Sequence, residues 1–240
     1  MKYLVTLIVG ILIGASLFGL GLYHNPFTSQ TTVSPLAVTT EKVIDLAYTA
    51  VPQESILYTD DGDSINQIHP LRTAKLLEPS ISDTRIQVVD LQDGSGDLAG
   101  IGFKFSTESE QTRLFDAQAL GNSVWHIYLP GQGTFMIDQT ENYWSYIREV
   151  VIPARLSSGK NWIGAYHGVM TSGPSPLGTA RVSGGTGRFD NLDSEAVEAL
   201  TARGYSAVTG PVAMTGSLII TLPEPELPEP EAEVSAEAEE

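Results

Sequence analysis

The chain has no cysteine in its 240 residues, which excludes disulfides, thiolate metal sites and a cysteine nucleophile. Basic residues are also scarce, with 13 Lys and Arg against 29 Asp and Glu and a net charge of −16. A surface of that sign repels a phosphate backbone, and no basic run or basic–aromatic interleaving offsets it, so nucleic acid is not an expected partner. Half of the net charge belongs to the last eighteen residues, which hold eight Glu and no Lys or Arg.

The usual catalytic and cofactor signatures are missing too. There is no G-x-S-x-G, and Gly173-Pro174-Ser175-Pro176 is a proline-bound loop rather than a strained strand-to-helix elbow. Neither Gly131-Gln132-Gly133 nor the glycines at 184–187 continue into Gly-Lys-Ser/Thr, so both clusters read as turns. His126 and His167 fall in predicted strands, and His24 and His69 lie at no metal-ligand spacing to them. Hydrogen-bonded histidines are therefore expected in place of a zinc site. Asp60-Asp61-Gly62-Asp63 and the DGSGD stretch at 93–97 are oxygen-rich, but they lack the spacing and terminal Glu of an EF-hand and read as Asp-Gly turns. No metal or cofactor is expected.

What the chain does have begins with YLVTLIVGILIGASLFGLGL at 3–22, a run without a charge. As a helix it is about 30 Å long, the thickness of a bilayer's hydrocarbon core. It exceeds the apolar core of a cleaved signal peptide, and Tyr23-His24-Asn25-Pro26 offers no small-x-small cleavage site. A single-pass anchor over 1–24 is the expectation, with a cleaved signal peptide as the alternative, since Gly19-Leu20-Gly21 could serve as a poor cleavage site. Lys2 is the only charged side chain before it, which places the N-terminus in the cytoplasm and the rest of the chain outside, in a periplasm or at the cell surface. Gly10 and Gly14 form a G-x-x-x-G pair, a candidate contact for self-association in the membrane.

Residues 25–40 are rich in Thr and Ser with two prolines and read as a flexible spacer, while 223–240 alternates Pro with Glu and reads as a disordered acidic tail. Between them, 41–222 shows short apolar runs split by turn signals. RIQVVDLQ (85–92), LAGIGFKFS (98–106), SVWHIYL (123–129), GTFMID (133–138), WSYIREVVIPARL (144–156), NWIGAYHGVMT (161–171), GTARVSGG (178–185) and AMTGSLIITL (213–222) predict about eight mostly antiparallel strands. SEAVEALTAR (194–203) has a capping Ser194, Glu in its first turn, Arg203 at its end and Gly204 beyond, and predicts one short helical insertion. Among the less regular residues 43–80, KVIDLAYTA and SILYTD read as strands and the Pro-flanked LRTAKLLE as a helical turn. The expected fold is mainly β: an antiparallel barrel of about eight strands behind a single N-terminal transmembrane helix.

Gly184-Gly185-Thr186-Gly187-Arg188-Phe189, followed later by MTGSLIITL, resembles the G-G-T-G-[RKY]-[FY] turn of calycin-like secreted barrels related to dirigent proteins and allene oxide cyclases. There it joins two closing strands. The Gly-Asp pair of DGSGDLAG and the glycine rhythm of WIGAYHGVMTSG are similar to that group as well, so the resemblance spans 85–222. It implies a barrel. It also raises a cyclase or isomerase acting on a lipid-derived substrate, although it carries no catalytic residue over to this chain.

The middle third is crowded with aromatic side chains. Alternation along the predicted strands puts Trp144, Tyr146 and Arg148 on one face and Trp162, Gly164, Tyr166 and Gly168 on another. If these faces line a barrel, Trp125, His126, Trp144, Tyr146, Arg148, Trp162, Tyr166 and His167 are the candidate pocket residues. The expected function is a non-enzymatic extracytoplasmic module that binds a small hydrophobic ligand or a protein partner. An isomerase using Arg148, His126 or His167, and a structural role in the cell envelope, are the alternatives.

Overall fold

The computed structural model describes residues 2–23, 42–51, 57–60, 63–66 and 84–222. The expected spacer, the acidic tail, the LRTAKLLE turn and most of the Asp60–Asp63 turn's loop lie outside them. Helix α1 runs over Lys2–Tyr23, and within it Tyr3–Gly21 is long and apolar enough to cross a membrane.

Twelve strands occur among the described residues: β1 Lys42–Thr49, β2 Leu57–Asp60, β3 Asp63–Asn66, β4 Arg85–Gln92, β5 Leu98–Glu108, β6 Leu120–Leu129, β7 Gly133–Asn142, β8 Asn161–Val169, β9 Thr171–Gly173, β10 Ala180–Gly187, β11 Asp193–Ser206 and β12 Gly210–Leu222. Eight of them close a ring in the order β1, β4, β5, β6, β7, β10, β11, β12, with every pairing antiparallel. The expected antiparallel barrel is the fold. β11 is long enough to pair β10 at its start and β8 at its end, and β9 adds to β7, while β2 and β3 form a separate hairpin.

The register gives the barrel two unlike ends. Lys42 pairs with Leu222 at one of them, beside the tight turns after β4, β6 and β10, so both ends of the domain leave there. At the opposite end lie the β11–β12 hairpin and the β5–β6 connection. Inward residues of the first half form a closed apolar plug that includes Leu46, Leu91, Ile127, Leu129, Phe135 and Ile220, all with at most 2% exposure. Full burial of each such side chain is worth about 1.5–3 kcal/mol. Phe189, at the end of the Gly-Gly-Thr-Gly turn, seals the plug against Phe135 with ring centroids 4.8 Å apart. Gly187 holds φ +68°, and a Cβ there would sit 2.3 Å from the Gln132 carbonyl oxygen, so only glycine serves in that turn.

Two local expectations are corrected. The stretch 144–156, expected as a strand, is a helix, here α2, built of Trp144–Tyr146, a wide-turn segment Ile147–Val151 and Ile152–Leu156. Its β-branched residues suggested a strand, but the Asn142 side chain accepts the Trp144 N–H at 3.0 Å and starts a helical turn. Pro153 has no N–H to give one turn back, and the helix opens into wide turns just before it, with the Ile152 N–H on the Ile147 carbonyl. Trp144, Tyr146 and Arg148 therefore do not share a strand face.

Conversely, 194–203, expected as a helix, lies inside strand β11. Ala196 to Leu200 are all buried there, and the backbone pairs on both sides, with β12 and with β10 and then β8. Ladder bonds on two flanks and a buried run outweigh the modest helix preference of Ala, Glu and Leu.

Candidate functional site

Above the apolar plug the barrel interior turns polar. Strand alternation sends Tyr48 of β1, Lys104 of β5, Ser123 and Trp125 of β6, Gln139 and Glu141 of β7 and Glu198 of β11 inwards, and all are buried. Two glycines make room for the rings: a Cβ at Gly216 would meet Tyr48 Cζ at 2.1 Å, and one at Gly102 would meet Trp125 Cζ3 at 2.9 Å. Tyr48 and Trp125 pack edge to face with centroids 5.0 Å apart.

Glu198 is the hub. One of its oxygens, Oε1, accepts from Tyr48 OH and, at 2.7 Å, from Lys104 Nζ; the other, Oε2, accepts from Gln139 Nε2 and, at 3.0 Å, from Trp125 Nε1. The Gln139 amide also donates to Ser123 Oγ at 3.1 Å and accepts from Thr171 Oγ1 at 2.9 Å, while the Glu198 N–H is held by Thr171 Oγ1 at 2.8 Å. A carboxylate with four donors is saturated, which is the condition under which a charge can be buried.

Lys104 Nζ is shared, since it also donates to Glu141 Oε1 at 2.7 Å, and Tyr143 OH reaches the same oxygen at 2.9 Å. Glu141 Oε2 has no partner although the residue is 0% exposed. One ammonium thus serves two carboxylates of unequal standing. Burial opposes ionisation of both. For Glu198, Lys104 and the hydrogen bonds from Lys104, Tyr48 and Trp125 outweigh burial and hold the carboxyl below its ordinary value. For Glu141, burial, only partly offset by Lys104 and reinforced by the charge on Glu198, holds it above its ordinary value. Burial alone would discharge Lys104, but the two carboxylates keep its pKa well above normal.

Over this floor lies a cavity of about 500 Å³ at the end of the barrel opposite Lys42 and Leu222. Glu141, Tyr143, Tyr48 and Lys104 contribute to its polar base, and Ala50, Leu200 and Met214 from the strands with Ile147 and Val151 from α2 form its apolar wall. The wide-turn segment of α2 thus supplies part of the lining. Tyr146 lines it too, and its buried hydroxyl has no hydrogen-bond partner. A second hollow of about 620 Å³ lies beside β9, lined by polar groups such as Asn122, Thr140 and Ser172, none of which is left buried without a partner. The smaller cavity is the better candidate because its lining includes two buried polar atoms lacking partners.

The aromatic and charged residues singled out in the sequence are dispersed. Trp125 is in the network and Tyr146 lines the cavity. Tyr166 supports Tyr146 from behind, with rings 5.6 Å apart and its hydroxyl 2.7 Å from Ser145 Oγ. Trp144 is buried in α2 and Trp162 packs on the rim of the core, neither lining the cavity. His126 is exposed on the outer face, and His167 is exposed beside Thr201, with Nδ1 2.9 Å from Oγ1. Arg148 is partly exposed and paired with Glu149 at 2.6 Å. The three groups expected to polarise a substrate thus lie outside the cavity, and Lys104, Glu141 and Glu198, which the sequence reading did not select, are inside. Among the described residues no group of three or more Asp, Glu or His is placed to hold a metal ion; the space between the two carboxylates is filled by the Lys104 ammonium.

No protein-family model and no curated protein matches the chain.

Proposed function

We propose that this protein is a membrane-tethered barrel that binds a small, mainly apolar molecule by its single polar end. The observation that carries the reading is Glu141: wholly buried, at the base of a cavity of about 500 Å³ with apolar walls, and with one carboxylate oxygen lacking a partner. An unpaired buried oxygen costs about 1–3 kcal/mol or more, which a ligand's hydrogen-bond donor recovers. Helix α1 tethers the barrel, with the N-terminus and Lys2 on the cytoplasmic side and the cavity outside. The glycine-rich turn at 184–189 supports kinship with the calycin-like barrels. Native mass spectrometry of the full chain, extracted from its own membrane in mild detergent, tests the binding. A co-purifying mass of a few hundred daltons, lost in Val151→Trp, is expected; a clean apo mass that no apolar compound shifts would sink it.

A second reading is favoured by the same carboxyl. A buried Glu held above its ordinary range, next to Tyr143 OH and an ammonium, suits proton transfer within a lipid-derived substrate, as in an isomerase. It requires that the bound molecule take up deuterium from D2O, and that Glu141→Gln stop this without displacing the molecule.

A further inference from the structure

The charges that line the cavity do not balance. Arg85 and Lys104 stand against Glu108, Glu141 and Glu198, and the imbalance is concentrated at the floor, where Lys104 is the single cation for two buried carboxylates. Glu198 has consumed its share of that ammonium together with three other donors, so Glu141 is the carboxylate left short. Its free Oε2 is an acceptor, and Tyr146, whose buried hydroxyl is also without a partner, lines the same cavity. The lining also includes Tyr143 and Tyr205, and the Tyr205 ring meets that of Tyr146 nearly at right angles with centroids 6.1 Å apart. Tyrosine rings attract a cation through their negative faces, and more strongly when water is excluded.

Resting on the ligand-binding reading above, we propose that the cavity selects apolar primary or secondary amines: the ammonium donates to Glu141 Oε2 and to Tyr146 OH, and the hydrocarbon part lies on Ile147, Val151, Leu200 and Met214. The amine supplies the second cation the floor lacks. Burial holds the Glu141 carboxyl above its ordinary value, and an ammonium seated on Oε2 favours its ionised form. A quaternary ammonium has no N–H to give and leaves Oε2 unpaired. A carboxylic acid of the same shape brings a third negative charge to the site. A neutral alcohol satisfies one atom but not the charge.

The test uses the full chain in lipid nanodiscs and an isosteric series, cyclohexylmethylamine, cyclohexylmethanol and cyclohexanecarboxylate, measured by isothermal titration calorimetry against empty nanodiscs. The amine is expected to bind about tenfold or more tightly than the alcohol, and the carboxylate not measurably. Tyr146→Phe lowers the amine's affinity about threefold to tenfold and leaves the alcohol's nearly unchanged; Glu141→Gln erases the amine's advantage. The series on the unaltered protein decides even if Glu141→Gln fails to fold. Equal affinity for amine and alcohol, or preference for the carboxylate, overturns the amine assignment and leaves the pocket reading standing. If none of the three binds and no apolar ligand is found by mass spectrometry, both fall.

Discussion

Lys104 and Glu198, ninety-four residues apart in sequence, meet inside the barrel with Nζ 2.7 Å from Oε1 and almost no exposure of either side chain. They tie β5 to β11 across the ring, and Glu141 on β7 completes a three-way crossing through the same ammonium. This polar layer separates a filled half of the barrel from a hollow one.

Removing the shared cation should be severe. In Lys104→Met, Glu141 and Glu198 are left buried without a counter-charge, a situation that costs about 3–5 kcal/mol when one partner of a buried pair is deleted. Urea unfolding should show a loss of unfolding free energy of that size, and adding Glu141→Gln to Lys104→Met should restore part of it. A single variant within about 1 kcal/mol of the parent would mean that the network is hydrated and contributes little.

The two carboxylates should give opposite pH slopes. Glu198 is held below its ordinary 4.5, so its contribution is present above that value and is lost as pH falls through the lower folded value. Glu141 is held above 4.5, so the folded protein keeps its proton more tightly than the unfolded chain. Its contribution is complete below 4.5 and is lost as pH rises through the higher folded value. Glu141→Gln cannot ionise and escapes that loss. Its stability relative to the parent should therefore climb as pH rises above 4.5, and a difference independent of pH would contradict the assignment.

Gly216 sits where a methyl group would strike the Tyr48 ring at 2.1 Å, and the ring is fixed by Trp125 on one side and by its hydrogen bond to Glu198 on the other. Gly216→Ala must therefore push Tyr48 out of the layer. A loss of about 1–3 kcal/mol is expected, together with a shift in tryptophan emission as the Tyr48–Trp125 contact changes. An unchanged melting temperature and spectrum would show that Tyr48 adapts freely.

The barrel was legible in the sequence because its signal is distributed: runs of period-2 pattern, separated by Gly and Asp turns, recur at nearly every ring strand. The site was not, and the reasons are local. Glu198 lies in a stretch whose Ser194, Glu195, Arg203 and Gly204 imitate helix ends, where a glutamate reads as a solvated surface charge; only pairing on both flanks makes it an inward strand residue. Lys104 lies between Phe103 and Phe105, and the obvious choice is to bury the phenylalanines. In the structure they are 38% and 42% exposed, and Gly100, Gly102 and Lys104 face in. The readable hint was that two glycines share the lysine's face, Gly102 leaving space for Trp125 and Gly100 for Leu129, both from β6. Glu141 was hidden by the change from strand to helix just after it, at Asn142.

Gly10 and Gly14, one turn apart on α1, are the proposed contact for self-association in the bilayer. Close approach of two helix backbones needs small residues at that spacing. Gly10→Leu with Gly14→Leu should abolish crosslinked dimers of the full chain in native membranes without altering the barrel's melting temperature. Dimers that persist in the double variant would move the contact elsewhere.

The positions of the outer residues give the last prediction. His126 and His167 are exposed, and Arg148 is paired with Glu149 at the surface, so none of the three can touch a molecule in the cavity. Each changed to Ala should bind ligand as the parent does, within about twofold, because surface substitutions away from packed features shift energies by no more than about 0.5 kcal/mol. Val151→Trp should behave in the opposite way. It introduces an indole from α2 into the apolar wall, occupies the space that the hydrocarbon part needs, and should reduce affinity about a hundredfold or more while the Lys104–Glu198 layer beneath stays intact. Calorimetry on the four variants separates the two surfaces: loss of binding in the His or Arg variants with retention in Val151→Trp would place the ligand on the outside of the barrel.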